Sequence, residues 1–495
     1  MYETFNIIIN PEVLLSLAVL SLILYGINLS TLKLSIGILQ LMLWAGVTSL
    51  ASYDAGVDEL LSWPTAFGCN GLLMTNSWII ISKILIIIGS ISILLMGTDY
   101  VGTIRIKPYQ SSPMGPTPSV LYRRGDSTTP ILVLIVALSS LLLVSSINWL
   151  SIYLAIELQT FSLFILAALK RDSAYSTEAG LKYFVLGAVS SGLFLFGCAL
   201  LYGLTGETSI QGINSAVGTD VGKILITISL LFKLSAAPFH MWAPDVYEGA
   251  PTTTTALLAT VPKIGVFSIL VQIGPVTNVV LVCAVLSIVY GAIGALNQTK
   301  IKRLLAYSGI GHMGFILFGV AIGSFESIQA SLIYMVIYVI ITICSFSIIL
   351  SLKLAKDLIV EVGGLSRDNP VIALTLALAF LSTAGIPPLA GFLSKWLILL
   401  SGISNGYYLI CIIAVISSVI AGVYYVRLVQ IIYFQADYPI LIWQKLLRPP
   451  VPGWDRRVDF SKSVVAGLTF FLILFLMISP NFLLQITHDA TISLY

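Results

Sequence analysis

The chain has 495 residues, of which 58% are hydrophobic and 9% charged, with a mean hydropathy of +1.00. Soluble domains carry roughly 25% charged residues, so this chain cannot coat a water-facing surface and needs lipid as solvent. A formal net charge of +3 without basic runs or basic–aromatic patches argues against a nucleic-acid partner, and five cysteines (Cys69, Cys198, Cys283, Cys344, Cys411) without a CxxC pair imply no zinc or iron–sulfur site.

A helix that crosses a bilayer needs about 20 mostly apolar residues. In chain order, spans are expected near 13–30, 34–51 and 78–97, then 130–148, 149–169, 179–204, 223–247 and 252–273, then 276–297, 303–323, 327–352, 370–402 and 406–434, and lastly 463–485. Met1-Tyr2-Glu3 offers no basic leader, so the first apolar run reads as a retained helix rather than a cleaved signal. The fourth and fifth spans are expected to part near Asn148 and Trp149. Between the third and fourth, residues 98–129 hold Pro108, Pro113, Pro116 and Pro118 and read as an irregular surface loop. Four cysteines lie inside spans and read as small buried hydrophobes. Ser190-Ser191-Gly192 reads as helix packing.

Charge placement tests this count. Loops after odd-numbered spans hold 18 of the 25 basic residues, among them Lys170, Lys300, Lys302, Arg303, Lys353 and Arg367. By the positive-inside rule both termini lie on the opposite side. One loop is discordant: the one after span 7 has Asp245 and Glu248 and no basic residue.

Proline interrupts spans 7 and 12, at Pro238 and at Pro387-Pro388. Proline lacks the N–H that would bond the carbonyl four residues back, so Leu234, Thr383 and Ala384 are left with free carbonyls. Such breaks are tolerated where they line a hydrated or protein-filled interior, and matched breaks mark repeat-built transporters. The expected fold is all-α integral membrane, with about 14 transmembrane helices and two inverted five-helix repeats, spans 4–8 and 9–13. The corresponding segments are 1–129, 130–273, 274–435 and 436–495.

Ionisable residues deep in spans are costly and ask for a reason. Lys263, preceded by Pro262, is about 11 residues from either end of span 8, roughly 16 Å at 1.5 Å per residue, too deep to snorkel. Lys233 lies five residues before Pro238, and Glu157 is the one carboxylate deep in spans 4–8. Burial favours the neutral amine and a nearby carboxylate the ammonium, so Lys233 can gain and lose a proton according to whether Glu157 is near; the alternative is a static ion pair that holds two helices together. Lys395 is shallower, and snorkelling competes with function there. His240 and His312 can relay protons or be satisfied core residues. His488, near the C-terminus, is assigned nothing.

Several segments carry a family likeness: Tyr153-Leu-Ala-Ile-Glu157-Leu-Gln159, Ser176 to Tyr183, Phe232 to Gly249, Lys302-Arg-Leu-Leu-Ala-Tyr-Ser308 and Ala384-Gly-Ile-Pro-Pro-Leu-Ala-Gly-Phe392. Over about residues 130–435 the chain resembles the antiporter-like membrane subunits of respiratory complex I, NADH:ubiquinone oxidoreductase, of the mitochondrially encoded subunit 2 and bacterial N type. The resemblance implies a proton-translocating subunit in which Glu157 pairs with Lys233, Lys263 is the central relay and Lys395 faces the exit, with His240 and His312 matching the family's histidines. It implies that this subunit binds no cofactor, with NADH, FMN, iron–sulfur clusters and ubiquinone handled elsewhere in the complex. Its partners would be other membrane-arm subunits and lipid. Loop 98–129 departs from the family in length and proline content. Two alternatives stand beside this one: a subunit of a multi-subunit sodium/proton antiporter, and a non-pumping membrane anchor. A quinone-binding role lacks a recognisable motif.

Overall fold

The computed structural model describes residues 11–25, 31–59, 66–68, 73–97, 128–170, 172–210, 218–352, 354, 357–434 and 459–494. The proline-rich loop expected at 98–129 falls almost wholly outside them.

Helices dominate. The N-terminal segment holds α1 (Pro11–Tyr25), α2 (Thr31–Glu59) and α3 (Ser77–Met96). A short antiparallel hairpin, β1 (Ala66–Gly68) and β2 (Leu73–Thr75), precedes α3. It is an addition to the all-α expectation.

Next come α4 (Thr128–Ser145), α5 (Trp149–Ala167), α6 (Ala174–Thr205), α7 (Asp220–Lys233), α8 (Trp242–Gly249), α9 (Thr252–Ala259) and α10 (Val261–Ile273). The α4–α5 boundary falls where expected, with Asn148 extended before Trp149. The last group is α11 (Thr277–Ala295), α12 (Ile301–Ile322), α13 (Phe325–Leu352), the short α14 (Leu365–Asp368), α15 (Pro370–Ala384), α16 (Ala390–Ser404), α17 (Tyr408–Phe434), α18 (Phe460–Ile478) and α19 (Asn481–Ile492).

Ten of these segments are long and apolar enough to cross a membrane, with α9 and α10 counted as one, and α1, α2, α15 and α16 hold shorter apolar stretches. The span expected at 463–485 is two helices. Pro480 cannot continue the helical hydrogen bonding of α18, and the chain past α19 returns to α3, where Ser493 Oγ accepts from the Trp78 backbone N–H at 3.1 Å.

The two proline breaks are built alike. After α7, the Ser235 N–H bonds the Phe232 carbonyl and the Ala236 N–H the Leu231 carbonyl; after α15, the Gly385 N–H bonds Ser382 and the Ile386 N–H bonds Leu381. This is the Schellman closure of a helix, which needs a left-handed residue at the turn. Gly385 supplies it at φ +84°, and Ser235 adopts it at φ +59°. The carbonyl four residues before each of Pro238 and Pro388 is taken up by a side chain. Ser235 Oγ donates to Leu234 O at 2.5 Å, and Lys395 Nζ donates to Ala384 O at 2.8 Å.

Span 8 carries a third interruption that proline counting did not reveal as a break. Thr260, at φ −118° and ψ −81°, separates α9 from α10, and Pro262 falls in the first turn of α10. Small residues set the tight packing elsewhere: a side chain at Gly291 on α11 would meet the Gly311 backbone of α12 at 2.5 Å. Of the string Ser190-Ser191-Gly192, the two serines are buried and Ser229 Oγ of α7 donates to Ser190 O at 2.8 Å, whereas a side chain at Gly192 would meet nothing within 4 Å, so the glycine has no packing role here. Cys283, Cys344 and Cys411 are buried and Cys198 is half-buried, all as free thiols.

The discordant acidic loop is explained at one end of the bundle. Asp245 pairs with Lys182, and Glu248 with Lys300 and Arg303. Lys302 reaches Asp357 at 2.8 Å. Lys182 stands near the start of α6, Asp245 and Glu248 on α8, Lys300 to Arg303 at the start of α12 and Asp357 after α13, so these helix ends meet at one face and the acids that follow the break in span 7 are neutralised there by bases.

Candidate functional site

The sequence-selected residues fall into two groups, with one outlier. In the first, Lys233 is the last residue of α7, buried against the break, and Glu157 projects from the middle of α5. Glu157 is the carboxylate that acts electrostatically on Lys233. The static ion pair does not form: Lys233 Nζ and Glu157 Oε1 are both buried without a hydrogen-bond partner.

The second group gathers around His312. Lys263, 1% exposed, rises from the first turn of α10 beside the Thr260 interruption. Its ammonium lies 5.8 Å from the ring centre of Tyr247 and 5.7 Å from that of Tyr338, within cation–π range. A side chain at Gly309 would come within 3.6 Å of Lys263 Nζ and 3.2 Å of the Tyr338 hydroxyl, so glycine keeps this space open. His312 is close enough to both Lys263 and Lys395 for each to act on it electrostatically. Its Nδ1 meets the Tyr334 hydroxyl at 2.7 Å and its Nε2 the Tyr425 hydroxyl at 3.4 Å.

Lys395 does not snorkel. It is 8% exposed, and its side chain turns back to cap the carbonyl freed by Pro388. The expected continuous span 370–402 is two helices here, and because α16 begins at Ala390, Lys395 lies close enough to the break to reach back to Ala384. His240 stands apart. Its ring faces Tyr290 at 5.6 Å between centres, and its Nδ1 is buried with no hydrogen-bond partner.

Four tyrosines were not singled out in the sequence: Tyr247, Tyr334, Tyr338 and Tyr425. Their available signal was weak, namely the four-residue spacing of Tyr334 and Tyr338, which puts both on one face of α13. Three further lysines are buried without having been expected to be: Lys83, Lys302 and Lys462, the last 1% exposed and 3.2 Å from Asp459. Lys83 on α3 pairs with Glu12 on α1 at 2.5 Å, with 4% and 3% of the side chains exposed. Lys302 is 6% exposed and also donates to Ala250 O at 3.1 Å.

What the arrangement can do chemically is limited and specific. Amines, imidazoles, hydroxyls and one carboxylate can hold and pass protons. Among the described residues no group of three or more His, Cys, Asp or Glu could hold a metal ion.

Comparison with known proteins gives the family. Residues 146–421 match the family described as NADH:quinone oxidoreductase/Mrp antiporter, transmembrane. The chain is similar to NADH-ubiquinone oxidoreductase chain 2 of Metridium senile, 64% identical over 384 residues, covering 75% of this chain and 98% of that relative. Its structure is similar to a chain of respiratory complex I from Thermus thermophilus, with a TM-score of 0.76, 26% identity, and coverage of 96% and 98%. A chain of the Mrp complex from Dietzia sp. DQ12-45-1b superposes with a TM-score of 0.81 at 17% identity over 98% and 97% of the two chains, a likeness of fold alone.

Proposed function

This chain belongs to the NADH:quinone oxidoreductase/Mrp antiporter transmembrane family, and from that premise we propose that it is a proton-translocating, antiporter-like subunit in the membrane arm of NADH:ubiquinone oxidoreductase. The complex carries out H⁺-translocating NADH:ubiquinone reduction; NADH, FMN, iron–sulfur clusters and ubiquinone are handled by other subunits. The membrane is the mitochondrial inner membrane, a reading supported by the ubiquinone-type relative, with the bacterial plasma membrane as the alternative.

The observation that carries this proposal is Lys263: an amine 1% exposed, at an interrupted helix, close to a histidine that also senses Lys395. A buried amine without a fixed carboxylate partner is poised to lose and regain its proton. Glu157 and Lys233 form the input side of the relay, Lys263 and His312 its centre, and Lys395 its exit side. His240, beside the first break, serves the input half. The matched closures after α7 and α15 support dividing the chain into repeats at 130–273 and 274–435.

The proposal is tested by the Glu157→Gln variant of the intact complex. Amide and carboxylate are similar in volume, so the complex should assemble at the wild-type level. Removing the charge that favours the Lys233 ammonium should lower coupled NADH:ubiquinone turnover several-fold, by up to about 1.4 kcal/mol in barrier. Wild-type turnover and proton-to-electron ratio in assembled Glu157→Gln would sink the role given to this pair.

The charge asymmetry gives the orientation. A cysteine introduced by Arg367→Cys should react with an impermeant thiol reagent from the matrix side and not from the intermembrane space. Labelling from the intermembrane space in sealed mitochondria would reverse the topology.

A further inference from the structure

We infer that the Tyr425 hydroxyl is a further relay residue, carrying protons between His312 and the second helix break, where Lys395 is held. The inference rests on the proton-relay reading above and adds a residue on α17, a helix to which that reading gave no part.

Counting donors leads to it. Tyr425 is 1% exposed and its hydroxyl lies 3.4 Å from His312 Nε2, with the hydroxyls of Ser308, Thr383 and Tyr424 as its other polar neighbours. A phenol has one proton to give. Ser308 already donates to Leu305 O at 2.9 Å and Thr383 to Phe380 O at 2.7 Å. Both can therefore only accept from Tyr425 in this arrangement, so the single Tyr425 proton must choose between His312 Nε2 and the hydroxyls on the other side.

The choice is coupled to the tautomer of His312. A neutral imidazole has one N–H and one bare nitrogen. If Tyr334 donates to Nδ1, then Nε2–H donates to the Tyr425 oxygen and the Tyr425 proton turns to Thr383 or Ser308. If Tyr425 donates to Nε2, then Nδ1–H faces Tyr334. One tautomer change thus reverses the direction of the whole chain of hydrogen bonds. Thr383 immediately precedes Ala384, whose carbonyl holds Lys395 Nζ at 2.8 Å.

A complete transfer balances as follows. The Nε2–H bond of the His312 imidazolium breaks as an O–H bond forms on Tyr425. The original Tyr425 proton moves to the Thr383 hydroxyl, and the Thr383 proton passes, directly or through water, to the neutral amine of Lys395. His312 ends neutral, Lys395 ends as ammonium, and both hydroxyls are unchanged.

The test uses the intact complex in proteoliposomes and reads the number of protons moved per electron. Tyr425→Phe keeps the ring, which stacks on Phe380 at 6.3 Å between centres, so assembly should hold. The proton-to-electron ratio should fall by the same fraction as in Lys395→Met, and the double variant should fall no further than either single one. A change that merely loosened packing would lower turnover without moving this ratio. If Lys395→Met lowers the ratio while Tyr425→Phe keeps the wild-type value, the Tyr425 link is wrong and the relay reading stands. If Lys395→Met itself keeps the wild-type ratio, the relay reading fails and the link with it. Should Tyr425→Phe not assemble, Thr383→Val removes the next hydroxyl on the same route, and a wild-type ratio there overturns the inference.

Discussion

Replacing Lys263 by methionine should leave an assembled complex whose coupled quinone reduction is slowed at least about tenfold, or about 1.4 kcal/mol in barrier. Methionine fills the volume of the lysine stem, and a thioether is well tolerated in a bundle interior, so loss of the amine should not cost assembly. Lys263→Arg should impair turnover as severely, because a guanidinium hardly deprotonates and so can hold a proton but not pass it. The surroundings make this pair of variants decisive. A guanidinium stacks on aromatic faces at least as well as an ammonium, and Tyr247 and Tyr338 both lie within 6 Å of the position it would take. A purely structural lysine therefore predicts the reverse order, with arginine restoring function and methionine failing through misassembly. Assembled Lys263→Arg complex that pumps at the wild-type rate would remove this residue from the relay.

What the sequence disclosed depended on how rare each signal is in an apolar chain. Charges are scarce, so Glu157, Lys233, Lys263 and Lys395 stand out by position, and prolines inside spans mark two of the three interruptions. Depth was less legible. Lys395 looked shallow when counted along an unbroken span, whereas α16 begins only at Ala390 and its lysine turns back onto Ala384. The Thr260 interruption has no proline at the break itself, and Pro262 is compatible with a first helical turn, so the sequence suggested a loosened helix where the structure has two.

Hydroxyls were illegible for a different reason. The chain has 22 tyrosines, and in a membrane bundle most are ordinary packing or interface residues. Nothing in the spacing of Tyr425 distinguishes it until α12, α15 and α17 are brought together. The same holds for opposite charges far apart in sequence. Asp245 and Glu248 appeared to contradict the charge asymmetry, and only the meeting of α6, α8 and α12 shows them neutralised by Lys182, Lys300 and Arg303.

The pair of Glu12 and Lys83 gives the largest expected effect on stability. It joins α1 to α3 with both side chains almost fully buried. The N-terminal segment is in turn fastened to the relay half through α3, where Trp78 Nε1 donates to Ser268 Oγ of α10 at 2.8 Å and Ser82 Oγ lies 3.1 Å from the same atom. Lys83→Met removes the counter-charge and strands a buried carboxylate, which costs about 3–5 kcal/mol when one partner of a buried pair is deleted. The solubilised complex carrying Lys83→Met should lose this subunit at a markedly lower temperature than wild type. Glu12→Gln with Lys83→Met removes both charges, and replacement of a whole buried pair is often nearly neutral, so the double variant should recover most of the loss. The proton-to-electron ratio of whatever complex stays assembled should be unchanged throughout, since neither residue touches the relay groups. Two outcomes would refute this account: a Lys83→Met complex as heat-stable as wild type would show that the pair contributes nothing to the fold, and a lowered proton-to-electron ratio would show that it belongs to the proton path.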